Sequence, residues 1–249
     1  MTVLLLALGA GAVTGLALGA LGGGGSVLAV PALIYLLGFT PAAATTASLV
    51  VVTVTSATAL AAHAREGTVR WRSGAVFAAA GIGPAAVGGL LSRYLPAALL
   101  TGAFAVLAAV AAVRMLRPAA TSAGGPGPVR ASRVAGAGAG LGAVTGVLGV
   151  GGGFLAVPSL VNVVGLRMRA AIGTSLLVIT INSLTALAAR SGSAMDVEWS
   201  TVGPFAATAI LGAWDGKRLA ARLSAGTLQR LFACALLAVA AFMLADAVG

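Results

Sequence analysis

The chain has 249 residues, of which 59% are hydrophobic and 8% charged, with a formal net charge of +10. So little polar surface cannot clothe a soluble globule of this length, which excludes the soluble classes and makes the chain an integral membrane protein. Nearly every Lys and Arg stands in a short gap between apolar runs, so the basic excess marks membrane topology and not a nucleic-acid surface.

Taken in order, the first apolar segments lie at about 3–21, 26–38, 42–62, 73–92 and 96–116. A stretch rich in Pro, Gly, Ser and Ala follows, 118–129, which reads as a flexible cytoplasmic linker without chemistry of its own. Five further segments lie at about 134–150, 153–166, 170–189, 199–216 and 226–247. The second segment of each set is too short for the roughly 20 residues that a spanning helix needs, so it pairs with its predecessor as a broken or re-entrant helix. The N-terminus lacks a basic leader region and recurs later in the chain, so it reads as mature structure. Cys234 has no second cysteine to pair with and reads as a packed or lipid-facing residue.

Two stretches echo each other at an offset of 127 residues. Gly19 to Pro31 reads Gly-Ala-Leu-Gly-Gly-Gly-Gly-Ser-Val-Leu-Ala-Val-Pro, and Gly146 to Pro158 reads Gly-Val-Leu-Gly-Val-Gly-Gly-Gly-Phe-Leu-Ala-Val-Pro. Gly11, Gly15, Gly38, Ser48, Leu49, Thr53 and Ser56 match Gly138, Gly142, Gly165, Ser175, Leu176, Thr180 and Ser183 at the same shift. Past a one-residue slip, Trp71 pairs with Trp199, Gly88 with Gly216, Phe104 with Phe232 and Leu116 with Leu244. A fixed offset of this kind marks internal duplication. The chain therefore divides into a first membrane repeat, 1–117, the linker, and a second membrane repeat, 130–249.

Basic residues decide the parity of the crossings. With an odd number in each half, one side collects 13 Lys and Arg and the other keeps only Arg93 and Arg190. Because positive loops stay cytoplasmic, both termini are expected outside. Homologous halves with odd crossing numbers insert in opposite orientations, the inverted repeat of many secondary transporters. The expected fold is thus all-α and polytopic, with two inverted repeats of about five segments each.

Glycines 22–25 and 151–153 interrupt helices at membrane depth, where open backbone is tolerated only against protein or a wet cavity. The following helix starts, around Gly24, Gly25 and Ser26 and around Gly152, Gly153 and Phe154, offer free N–H groups and partial positive charge to an anion. Gly11, Gly15 and Gly19, four residues apart, read as a helix-packing stripe, and Pro31 and Pro158 as kinks or stops. Thr45, Ser48, Thr55 and Ser56 lie along one face of their helix, with Ser175, Asn182 and Ser183 on the corresponding face of its twin. Hydroxyls and an amide converging from two halves suit an oxyanion; interhelical hydrogen bonding is the competing role. No cation falls inside a predicted span, so an anion would be held by helix ends, hydroxyls and Asn182.

Asp215 is the acid nearest a membrane segment's interior, although Lys217 and Arg218 beside it favour an interfacial ion pair over a proton relay. His63, the single histidine, reads as a solvated helix-end residue whose chemistry would also permit proton sensing. Neither a metal site nor a nucleophile, base and orienter set can be assembled, so no enzyme, metal or cofactor is expected. A passive anion channel or a non-transporting assembly subunit are the alternatives to a transporter. A homo-oligomer is compatible with the sequence.

Both glycine motifs, each running into Leu-Ala-Val-Pro, with Thr-Thr-Ala-Ser-Leu behind the first and Gly-Leu-Arg-Met-Arg-Ala-Ala-Ile-Gly-Thr-Ser-Leu behind the second, resemble the TauE/SafE sulfite exporter family, also called TSUP. The resemblance covers nearly the whole chain. It implies a multi-pass transporter of the bacterial inner membrane that carries a sulfur-containing anion such as sulfite, an organosulfonate like sulfoacetate, or thiosulfate. Ala47 stands where the second half has Thr174, in front of the paired Ser48 and Ser175, so the two half-sites are not expected to contribute equally.

Overall fold

The computed structural model describes residues 2–21, 26–92, 94–116, 131–190 and 198–220, and from there to residue 243 only 227, 230, 233–234 and 237–243. Nine helices are bounded within it: α1 (Thr2–Leu21), α2 (Ser26–Pro31, continued by a π-helical turn Ala32–Leu36), α3 (Pro41–Arg65), α4 (Trp71–Ser92), α5 (Ala97–Leu116), α6 (Ala131–Leu148), α7 (Gly153–Asn162), α8 (Met168–Ala189) and α9 (Trp199–Ala220). The described part of 227–243 is helical as well. Four helices, α1, α3, α4 and α8, are long and apolar enough to cross a bilayer. Large apolar side chains such as Leu5, Val87, Leu211 and Trp214 face outward, as a lipid-immersed surface requires.

Local chemistry sets the boundaries. Pro41 occupies the first turn of α3, where its missing N–H costs nothing, and the Thr40 hydroxyl accepts from Ala43 N at 3.3 Å. Pro31 ends the regular part of α2 and the π-helical turn takes over, whereas Pro158 sits inside α7, which continues for four residues. Gly38 and Gly165, repeat equivalents, both adopt left-handed backbone, φ +72° and +74°, and turn the chain into α3 and α8.

The glycine stripes hold the bundle together. A Cβ added to Gly11, Gly15 or Gly19 of α1 would lie 2.3, 2.1 or 1.9 Å from the carbonyl oxygen of Phe205, Ala209 or Ala213 on α9. On α6, Gly138, Gly142 and Gly146 meet the carbonyls of Phe77, Gly81 and Ala85 on α4 in the same way. The glycines repeat at 127 residues and their partners at 128, so two helix pairs reproduce one contact. Both pairs run parallel, since partner numbers rise together.

Direction follows from these registers. Leu18 near the end of α1 packs with Ala59 near the end of α3, whereas Gly149 just beyond α6 meets Thr45 near the start of α3. Hence α1 and α6, equivalent in sequence, run in opposite senses. Helices α3 and α8 cross antiparallel through the centre, joined by the Ser56 and Thr180 hydroxyls at 2.9 Å. The halves are inverted. Since α1 runs toward the end where α3 finishes, the segment containing α2 must bring the chain back to where α3 begins, and α7 does the same after α6. The short second segments are therefore return arms of helical hairpins.

Candidate functional site

The site grows from the turn between α6 and α7. Gly149, Gly151 and Gly152 have φ of +66°, +67° and +63°, a run of left-handed backbone that residues with a Cβ rarely adopt. Gly152 then caps α7, its carbonyl accepting from Leu155 N at 3.0 Å and Ala156 N at 2.9 Å, with no side chain capping the helix. The first-turn N–H groups of Gly153 and Phe154 precede any i to i−4 acceptor, so they point along the positive end of the helix.

Three helices wall this turn. A Cβ on Gly149 would meet the Thr45 carbonyl oxygen of α3 at 2.2 Å. On Gly151 it would meet Val52 Cγ1 of α3 at 2.4 Å and Ser183 Oγ of α8 at 3.3 Å, and on Gly152 Thr145 Oγ1 of α6 at 2.5 Å. Ser48 lies between Thr45 and Val52 at helical spacing, on the same face of α3. Ser48 Oγ, Thr145 Oγ1 and Ser183 Oγ are fully buried and have no protein partner. A buried hydroxyl left in that state costs about 1–3 kcal/mol.

The sequence-derived residues divide accordingly. Ser183 and the backbone of Gly152, Gly153 and Phe154 come together here, and Ser48 lies on the face of α3 that carries Thr45 and Val52. Asn182, also buried and without a protein partner, lies on another face of α8, where a Cβ on Gly81 would sit 2.6 Å from its Nδ2. Thr55 donates to the Val51 carbonyl of its own helix at 2.7 Å, and Ser175 to that of Ile172 at 2.7 Å, toward the other end of α8. Gly24 and Gly25 lie outside the described residues, and Ser26 opens α2. Thr174, where the first half has Ala47, accepts from Arg70 N at 3.0 Å, so that asymmetry is used for holding α4 to α8.

Two expectations need correction. His63 is not solvated: it is 8% exposed, with Nδ1 3.2 Å from the Thr68 hydroxyl, because α3 continues past it and the following turn folds back over it. Arg190 is not a loop cation either. It follows the last turn of α8 and folds inward to 6% exposure, donating from Nη1 to the Thr45 hydroxyl at 2.8 Å and the Thr46 hydroxyl at 3.3 Å. Its Nη2 donates to the carbonyls of Gly146 and Val147 at the end of α6, the latter at 3.0 Å. A guanidinium keeps its proton even when buried, so the residue is a cation at neutral pH. Asp215, by contrast, is exposed and lies 3.5 Å from Arg218 Nη1, one turn along α9. Among the described residues no cluster of metal-ligating side chains is present.

Sequence reasoning passed over Thr145 and Arg190. Thr145 has Leu18 as its repeat equivalent and so drew no attention from the comparison of halves; its place four residues before Gly149 was the available signal. For Arg190 the signal was its membership of the basic-poor side.

The family model described as sulfite exporter TauE/SafE matches residues 7–243. The chain belongs to the TauE/SafE family. Two relatives, each named a probable membrane transporter protein, come from Xylella fastidiosa strains Temecula1 and 9a5c. Each is 35% identical over 249 residues, spanning 97% of this chain and 95% of the relative. No solved structure matches. The TauE/SafE membership and the helical bundle together make the protein a membrane transporter.

Proposed function

We propose that this transporter exports a small sulfur-containing anion, sulfite or an organosulfonate such as sulfoacetate, across the bacterial inner membrane by alternating access between its two inverted halves. The observation that carries the reading is the set of unpartnered hydroxyls, Thr145 and Ser183 at the turn that starts α7 and Ser48 on the α3 face beside it. Hydroxyl donors and a helix N-terminus suit a tetrahedral or pyramidal oxyanion, whose charge is spread over several acceptor oxygens. The first membrane repeat, 1–117, would build its own half-site around Gly24, Gly25 and Ser26, and the linker 118–129 would join the halves on the cytoplasmic side. The basic count supports cytoplasmic placement of Arg65, Arg70, Arg167 and Arg169 and external placement of both termini. Asn182 would serve as a neighbouring polar group on the path.

If a proton is coupled to the anion, His63 is better placed than Asp215 to carry it. His63 is buried among the bundle helices, whereas Asp215 is surface-exposed beside a cation. The test is flux of sulfite, sulfoacetate and taurine in proteoliposomes of the purified protein, with and without an imposed pH gradient. Accumulation against the anion gradient that collapses with a protonophore supports coupled transport. Flux that only runs downhill for all three would replace this reading with a passive anion channel.

A further inference from the structure

The buried guanidinium is a full charge that the site as described does not use. All four acceptors of Arg190 are neutral: the Thr45 and Thr46 hydroxyls and the carbonyls of Gly146 and Val147. Both threonine hydroxyls donate onward to the Ala42 carbonyl, at 2.8 and 3.1 Å, which orients their lone pairs toward the arginine. The described acids, Glu66, Glu198 and Asp215, are all exposed, and none pairs with it. Carbonyls at the end of α6 contribute partial negative charge. Such dipoles offset part of the cost of taking a cation out of water, while an anion would offset most of it.

The same guanidinium borders the glycine turn from two sides. Gly146 and Val147 stand three and two residues before Gly149, and Thr45, which it grips by the hydroxyl, presses its carbonyl onto Gly149. Arg190 Nε and Ser48 Oγ, one turn along α3 from Thr45, are both buried without a protein partner. Four hydrogen bonds fix the planar fork, so the charge is held in place and does not swing with a flexible stem.

We propose that Arg190 is the specificity-determining cation of the anion site, supplying the whole positive charge that the start of α7 and the hydroxyls lack. This rests on the transport reading above. Hydroxyls and a helix end alone would accept a neutral molecule of similar shape; a fixed buried cation makes the site select for negative charge, so that sulfite enters and dimethyl sulfone does not.

The experiment uses the full chain, as wild type, Arg190→Lys and Arg190→Gln, reconstituted for sulfite flux and heated in detergent with and without sulfite or dimethyl sulfone. Arg190→Gln should raise the sulfite KM at least about tenfold with a smaller change in maximal rate, and Arg190→Lys, which keeps the charge but not the fork, should raise it less than the glutamine variant does. Heat protection by sulfite should be lost in the glutamine variant and kept in the lysine variant. An arginine that only clasps helices gives a different result: both variants lose melting temperature and maximal rate with KM unchanged, which overturns the proposal. If neither variant can be purified, the wild type decides. Protection by sulfite and not by dimethyl sulfone supports the fixed charge; equal protection by both, or none, overturns it. Wild-type protein that moves no sulfite refutes the transport reading alone, because the heat-protection comparison still tests the charge.

Discussion

Replacing Gly15 by alanine should separate α1 from α9. The added Cβ would lie 2.1 Å from the Ala209 carbonyl oxygen and 2.7 Å from that residue's carbonyl carbon and Cα, all backbone atoms with no rotamer to yield. A tolerable C···O approach is about 3.3 Å, so the helix axes must part by on the order of 1 Å. That displacement also loosens the contacts of Gly11 and Gly19 on the same stripe. Overpacking of this kind costs about 1–3 kcal/mol, and a chain of this size loses about 2–4 °C of melting temperature per kcal/mol. The assay is thermal unfolding of the purified protein in detergent, with Gly9→Ala as control. A Cβ on Gly9 meets nothing within 4 Å, and alanine is the better helix former there, so the control should melt at or slightly above wild type. Gly142→Ala, the repeat equivalent, faces the Gly81 carbonyl oxygen at 2.1 Å and should lose a similar amount. A Gly15→Ala protein that melts with the Gly9→Ala control would refute the argument that backbone contact holds this pair.

Three further outcomes follow from the site and its surroundings. Gly151→Ala, at φ +67° and with Val52 Cγ1 2.4 Å from the new Cβ, should abolish sulfite flux, and adding Val52→Ala should restore only part of it, because the backbone strain remains. Asn182→Ala removes a buried amide without a protein partner, so melting temperature should hold or rise while sulfite flux falls; unchanged kinetics would take Asn182 off the path. Asp215→Asn should leave the pH profile of flux unaltered, since its carboxylate is exposed beside Arg218, and a displaced profile would identify it as the proton carrier.

Helix positions were legible because a membrane allows so few backbone solutions. Apolar runs of sufficient length must close their hydrogen bonds within themselves, and the helix starts at Trp71 and Trp199 fall where the offset between the halves shifts from 127 to 128. Inversion was legible from the internal echo together with the basic count. The return sense of α2 and α7 was not, because a short apolar segment that crosses and one that turns back leave the same pattern of charges. Side-chain roles were harder still. Helical spacing puts Ser48, Thr55 and Ser56 near one face, but it does not say that Thr55 would spend its hydroxyl on the carbonyl four residues back. Asn182 and Ser183 are neighbours in sequence, yet 100° of helix rotation sends one toward Gly81 and the other toward Gly151. Arg190 ends an apolar run, where a cation normally extends to water; only the three-dimensional meeting of α3, α6 and α8 gives it four oxygens to turn back toward.

The two glycine stripes have a mechanical meaning as well. Each joins a helix of one half to a helix of the other, α1 to α9 and α6 to α4, at backbone contact. Pulling the two halves apart as blocks would tear both seams at once. A rearrangement that spares the seams must carry α1 with α9 and α4 with α6, pivoting on the central crossing of α3 and α8. The sequence echo divides the chain at its linker, but each seam is a hybrid, assembled from one helix of either half.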